Sequence, residues 1–280
     1  MAARHAPALH AALGRYPHSD ALFADPMLQI DSFPVISRAF KPMIREQRFE
    51  VSEMAIATLL MARAAGSDLV LLPVVMAMRF QNGALLRRAA DTFGPADLAG
   101  RRVGVRAYSQ TTGLWLRGAI QEEHGIRPDQ IRWVTFEDAH VADFQDPAWI
   151  ERAPTGADML AMLHAGELDA AIFGNDVPSD PALVPVDPDP EAAGTAFFAR
   201  HGLMPVNHMV VVRAEIARQA GAVRALLDAF RAAGNPFPLG RAALDPAVTL
   251  ALRYAQEQGL LTRPITLEDV WAGLPPGCDV

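Results

Sequence analysis

Short unbroken apolar runs, set between segments with helical spacing, constrain this chain more than any other feature. "DLVLLPVVM" (68–76), "RVGVRAY" (102–108), "IRWVTF" (131–136), "ELDAAIF" (167–173) and "HMVVVR" (208–213) leave little polar edge for water. They read as strands buried on both faces. "LHAALG" (9–14) and "LQID" (28–31) are weaker candidates, and helical spacing occupies 53–65, 111–124, 156–165, 214–233 and 242–258. Strands alternating with helices predict an α/β fold whose sheets are mainly parallel and flanked by helices. The proline-rich stretch 176–194 is expected to run irregularly over the surface.

With 280 residues the chain can bury two cores or one large one, and its net charge of −7 argues against a nucleic-acid partner and against docking on an anionic membrane. An anionic ligand would have to be held locally, by a few arginines and backbone N–H groups. Cys278 has no second cysteine to pair with, and no Cys/His cluster has zinc-ligand spacing. The sequence offers no site for a metal or organic cofactor. The N-terminal stretch lacks an apolar signal core, and nothing approaches a bilayer-spanning run. The expected compartment is the cytoplasm, or the periplasm if a leader precedes the chain.

Three local signals bear on chemistry. In "FEVSEMAIATLLMAR" a short strand ends at Val51, Ser52 is a credible N-cap and Glu53 would lie in the helix's first turn, favouring its dipole. In "VGVRAYSQTTGLWLRGAIQEEHG" a strand gives way to Ser109, Thr111 and Thr112 at a helix start, with Gly125 as its C-cap. Those hydroxyls either cap the helix or bind an anion there. In "HGLMPVNHMVVVR" Pro205 fixes a bend and leaves His208 at the mouth of a buried strand.

These segments resemble the 4,5-dihydroxyphthalate decarboxylase family, whose members have the type II periplasmic solute-binding fold. "RRVGVRAYSQTTGLWLRGAIQEEHGI", "FKPMIREQRFEVSEMAIATLLMAR", "GLMPVNHMVVVR" and "LHAGELDAAI" carry the resemblance in order, with "GRYPHSDAL" a looser match. The resemblance implies two α/β lobes with a ligand cleft between them. Lobe 1 would take 1–80 and 206–280, and lobe 2 would be the inserted 81–205. It implies a small-molecule aromatic or carboxylate ligand and a cofactor-independent decarboxylase. The alternative on the same fold is a solute-binding protein for a small carboxylate, without catalysis. The chain departs from the family pattern at Asn82, where a His is frequent, and in "GRYP". Those departures point to a different aromatic acid, or to no decarboxylation.

Decarboxylating a hydroxylated aromatic acid requires protonation of the ring carbon and spreading of charge onto a phenolic oxygen. Histidine suits the proton transfer near neutrality. His208 is the candidate, with Glu53 as the group that orients it or takes a phenolic proton. For substrate binding the candidates are Arg79, Ser109, Thr111, Thr112 and Ser52, with Arg106 and Arg117 behind them, Arg117 read as a structural ion pair. Tyr16, Tyr108 and Phe80 either stack on an aromatic ring or pack their lobe. His18 reads as a solvated loop residue, and His5, His10 and His201 show no partner in sequence. The helical stretch 225–259 can support a homo-oligomer or pack on the first lobe.

Overall fold

The structure, a computed structural model, describes residues 7–279; residues 1–6, His5 among them, and residue 280 lie outside it. In chain order the elements are β1 (Leu9–Ala12), β2 (Leu28–Asp31), α1 (Phe40–Glu46), β3 (Val51–Ala55), α2 (Ile56–Ala64) and β4 (Val70–Met78). Then follow β5 (Leu85–Arg88), β6 (Arg102–Val105), α3 (Thr111–His124), β7 (Arg132–Thr135), β8 (Glu151–Arg152) and α4 (Met159–His164). The chain continues through β9 (Ala170–Ile172), β10 (Leu183–Pro185), α5 (Pro190–His201) and β11 (Val206–Val212). It ends with α6 (Ala214–Ala217), α7 (Ala220–Ala232), α8 (Arg241–Glu257) and α9 (Leu267–Trp271).

Two compact units result. Unit 1 holds Met1–Met78, Val206–Thr249 and Arg263–Val280; unit 2 holds Arg79–Pro205 and Leu250–Thr262. The second half of α8 thus belongs to unit 2, a contribution that a single inserted segment does not anticipate.

The sheet of unit 1 has the order β2-β1-β3-β11-β4. β1 runs parallel to β2 and β3, whereas β11 is antiparallel to both β3 and β4. Val51, Val70, Leu72, Val74, Val210 and Val212 bury one face against Val223, Leu226, Leu227 and Phe230 of α7. Each such side chain contributes about 1.5–3 kcal/mol by leaving water. That face explains why α7 reads as amphipathic in sequence.

The sheet of unit 2 has the order β10-β5-β9-β6-β7-β8. β9, β6, β7 and β8 are parallel, and β5 and β10 add antiparallel strands at one edge. The fold is therefore α/β with helix-flanked sheets that are mixed. Each antiparallel pair joins strands far apart in the chain: β11 with β3 and β4, and β5 with β9 and β10. In α3, Gly118 faces Tyr254 of α8, and a Cβ there would fall 2.2 Å from the tyrosine ring. The helices can approach this closely only because that position carries no side chain.

Two readings of local pattern are corrected. Residues 51–55 form a strand, so Ser52 is not an N-cap and Glu53 is not in a first helical turn. β3 lies at the centre of its sheet with all five residues buried. Ladder bonds on both edges therefore outweigh the local capping signal, and α2 starts after Ala55 with no side-chain cap. The stretch 176–194 is also less irregular than expected. It contains β10, and α5 begins at Pro190 behind Asp189, whose carboxylate accepts from the Ala192 N–H.

Candidate active site

In unit 1 the register of β3 against β11 places Glu53 opposite Val210 and Ala55 opposite His208. Directly paired residues share a face, so Glu53 and His208 are diagonal neighbours on the same face, within side-chain reach. This is the carboxyl end of β1 and β3. Crevices outside such strand ends are where open α/β sheets bind ligands.

Glu53 is completely buried. A carboxylate there must be fully hydrogen-bonded, and three donors converge on it. The Gly14 N–H donates to Oε2 at 2.9 Å, and the Tyr16 hydroxyl donates to Oε1 at 2.8 Å. His208 Nδ1 approaches Oε1 at 2.6 Å. Burial, then the neighbouring Glu53 charge, pushes the Tyr16 hydroxyl well above the usual phenol range. Tyr16 therefore remains a donor throughout the neutral range. With the carboxylate accepting, His208 Nδ1 carries a proton and donates it. The tautomer follows from this network rather than from an observed hydrogen.

The loop after β1 is built to deliver these donors. Ser19 Oγ accepts from the Tyr16 N–H at 2.9 Å and donates to the Gly14 carbonyl at 2.7 Å. A Cβ at Gly14 would lie 2.5 Å from the Tyr16 ring, so glycine lets the tyrosine fold back over its own loop. Phe40 of α1 meets the His208 imidazole edge-on, with centroids 5.2 Å apart. The His208 side chain keeps 12% of its surface exposed, and no group among the described residues bonds its Nε2. An oriented imidazole with a buried anion behind one nitrogen and the other nitrogen unengaged is equipped for proton transfer.

Of the other expected residues in unit 1, Ser52 stays outside this network. It is buried and donates through Oγ to the Glu53 carbonyl at 2.8 Å. Tyr16 is a donor to Glu53, and its ring lies on His18 with planes only 11° apart. His18, expected to be solvated, is half-buried and bonds the Met76 carbonyl through Nε2 at 3.1 Å. The positioning loop is marked in sequence only by the looser match "GRYPHSDAL", and the role of the Gly14 amide emerges only when β1 and β3 pair.

The remaining candidates belong to unit 2. Arg79 donates to Asn175 Oδ1, to the Gly174 carbonyl at 2.9 Å and to Gln81 Oε1 at 3.4 Å. No carboxylate among the described residues pairs with it, and burial lowers its guanidinium from the ordinary range. Phe80 packs on Phe197, and a Cβ at Gly194 would fall 2.7 Å from its ring. It packs within unit 2 while staying partly exposed. Arg106 lies partly exposed, 3.8 Å from Glu137. Ser109, Thr111 and Thr112 are buried at the start of α3, where Gln110 is the cap residue and makes no side-chain cap bond.

Tyr108 is not a surface for a ligand ring. It is fully buried, with the Arg117 guanidinium 4.0 Å over its face and its hydroxyl donating to the Gln258 carbonyl at 3.2 Å. Arg117 is structural as expected, but it makes no ion pair among the described residues. Its guanidinium donates to Gln258 Oε1 at 2.7 Å and to the Tyr108 carbonyl at 2.6 Å. Burial lowers it to about 10. His10 and His201, mute in sequence, pair with Asp31 at 3.0 Å and Glu122 at 2.8 Å. Among the described residues no cluster of His, Cys, Asp or Glu is arranged to hold a metal ion, and no helix is long and apolar enough to cross a membrane.

These features place the chain in a structural class. Its fold is that of the periplasmic binding proteins: the periplasmic aliphatic sulphonate binding protein SsuA from Escherichia coli superposes with a TM-score of 0.56 at 15% identity, over 95% of this chain and 88% of that one. In sequence the chain is similar to the 4,5-dihydroxyphthalate decarboxylase of Comamonas testosteroni, 27% identical over 270 residues, covering 89% of this chain and 78% of the relative. It is also similar to the 4,5-dihydroxyphthalate decarboxylase of Pseudomonas putida, 28% identical over 158 residues, covering 53% of this chain and 60% of that protein. No family model matches. Over most of its length the chain is thus 4,5-dihydroxyphthalate decarboxylase-like in sequence and periplasmic-binding-protein-like in fold.

Proposed function

We propose that this protein is a decarboxylase of a hydroxylated aromatic carboxylate of the 4,5-dihydroxyphthalate kind, working without a metal or organic cofactor. His208 is its proton-transfer group and Glu53 the residue that orients it. The observation that carries this reading is the 2.6 Å contact between His208 Nδ1 and the buried Glu53 carboxylate, with His208 Nε2 unengaged among the described residues. In the imidazolium form, Nε2 can give its proton to the ring carbon that bears the carboxylate. The C–C bond then breaks, CO₂ leaves, and the electron pair restores the aromatic ring. Glu53 offsets the imidazolium charge before transfer and holds the ring direction afterwards. The ring hydroxyl supplies the electron density that an added cofactor would otherwise provide. The names of the sequence relatives support this substrate class.

The test is CO₂ release from 4,5-dihydroxyphthalate by purified protein in the presence of a chelator, compared with His208→Gln. Turnover by the parent and a loss of about 100-fold or more in the variant are expected. Full turnover in His208→Gln removes the assignment. Ligand-induced thermal stabilisation with no CO₂ release favours a solute-binding protein, the reading that fits the fold of SsuA.

A further inference from the structure

His18 is held as deliberately as His208. Its Nε2 faces the Met76 carbonyl at 3.1 Å. A carbonyl only accepts, so Nε2 carries the proton, and the neutral ring presents a lone pair at Nδ1. Tyr16 stacks on one side of the imidazole, with centroids 5.2 Å apart, and Phe237 meets it edge-on at 5.2 Å. The loop carrying Phe237 is tied down in turn: Asn235 donates to the Val75 carbonyl at 2.8 Å and accepts from the Phe237 N–H at 3.0 Å. No group among the described residues bonds Nδ1 of His18.

The two histidines share a neighbour. Tyr16 donates to the same Glu53 oxygen that His208 engages, while its ring covers His18. The ladder sets His208 opposite Ala77, next along β4 from Met76. Their partners differ in charge, a carboxylate for His208 and a carbonyl dipole for His18. The first partner can hold an imidazolium by ion pairing. The second fixes the tautomer of the ring, with Nε2 toward the strand and Nδ1 as the remaining nitrogen.

We infer that His18 is a second proton-handling residue of the unit 1 site, one that accepts through Nδ1 the phenolic hydroxyl of an aromatic acid. This rests on the decarboxylase reading above. As the phenolic O–H bond breaks, its proton passes to His18 Nδ1 and the oxygen's electron pair moves into the ring. The carboxylate-bearing ring carbon takes a proton from His208 Nε2. CO₂ then departs, the C–C electron pair returns through the ring to the oxygen, and that oxygen recovers its proton from His18. The net reaction consumes one proton, which His208 regains from water.

The experiment uses 4,5-dihydroxyphthalate and phthalate, which lacks the hydroxyls, with the parent protein, His18→Gln and His208→Gln. Glutamine Nε2 can still donate to the Met76 carbonyl. Calorimetry should show the parent preferring the dihydroxy acid about tenfold, and His18→Gln losing that preference. The kcat of His18→Gln should fall about 100-fold with an unchanged melting temperature. If His18→Gln keeps both the preference and the rate, or if the parent shows no preference, the inference is overturned. If the parent releases no CO₂ yet its preference depends on His18, the hydroxyl contact stands and the decarboxylase reading falls. Should His18→Gln fail to fold, ¹⁵N NMR of the parent decides. The His18 Nδ1 resonance must move on adding 4,5-dihydroxyphthalate and not on adding phthalate; an unmoved signal overturns the inference.

Discussion

Among the described residues, each unit buries one charge almost completely, and the two are handled differently. In unit 1 the charge is Glu53, and in unit 2 it is Arg117. Arg117 gives its bonds to Gln258 and the Tyr108 carbonyl and lays its plane over Tyr108 and Trp133. Every partner is a neutral group of the unit's own interior, so the charge is held and goes nowhere. Glu53 has both carboxylate oxygens bonded, but one of its partners is a histidine whose second nitrogen is unengaged among the described residues. A buried charge is therefore not a site in itself. It becomes one when a partner can carry its influence to another molecule.

The largest effect that sharpens this contrast is expected at Glu53. Glu53→Gln replaces an acceptor with a group that also donates, so His208 loses the anion that fixes its tautomer. On the proposed reading, turnover falls about 10²–10⁴-fold, the size associated with a general acid or base held in the wrong form. A steady-state assay of CO₂ release checks this, and an unchanged rate would erase the distinction between the two units. Arg117→Met comes next and is read in stability. It strands Gln258 Oε1 and the Tyr108 carbonyl and costs about 1–3 kcal/mol in urea denaturation. A neutral result would mean that relief from burying the guanidinium offsets the lost bonds.

The smallest effect concerns Asp146, which accepts from Thr135 Oγ1 at 3.0 Å in unit 2. Burial raises its carboxyl above the ordinary range despite that bond and the nearby arginines. A raised acid takes up its proton more readily in the folded state than in the unfolded one. Its contribution is therefore most favourable below the unfolded value and is lost as pH rises through the folded one. Asp146→Asn should be slightly more stable than the parent at neutral pH, and the difference should vanish near pH 3.8, the ordinary value for Asp. Melting curves at the two pH values check it. A gap that persists in acid would assign the effect to packing.

The same contrast separates what could be read in advance from what could not. His208 and Glu53 are each visible as candidates in the sequence, yet Ser52 imitates a cap and so disguises the strand that carries Glu53. Tyr108 and Phe80 looked able to stack on a ligand, but aromatic residues carry no local mark of which neighbour will cover them. Here Arg117 and Phe197 do so. His18 reads in sequence as a solvated loop residue because its partners come from distant segments, Met76 and Phe237.

The amino-acid order alone determined the α/β alternation, the buried strands at β4 and β11, and α3 from Thr111 to a left-handed Gly125. Such signals lie within a few residues of one another, where helix period, apolar runs and glycine freedom act. Tertiary structure alone decided that β3 is a strand and that Glu53 meets His208 across 155 residues of chain. Local preference at Ser52 amounts to one cap bond. The central place in a five-stranded sheet offers ladder bonds on both edges and burial of every side chain, and that larger sum sets the register from which the chemistry follows.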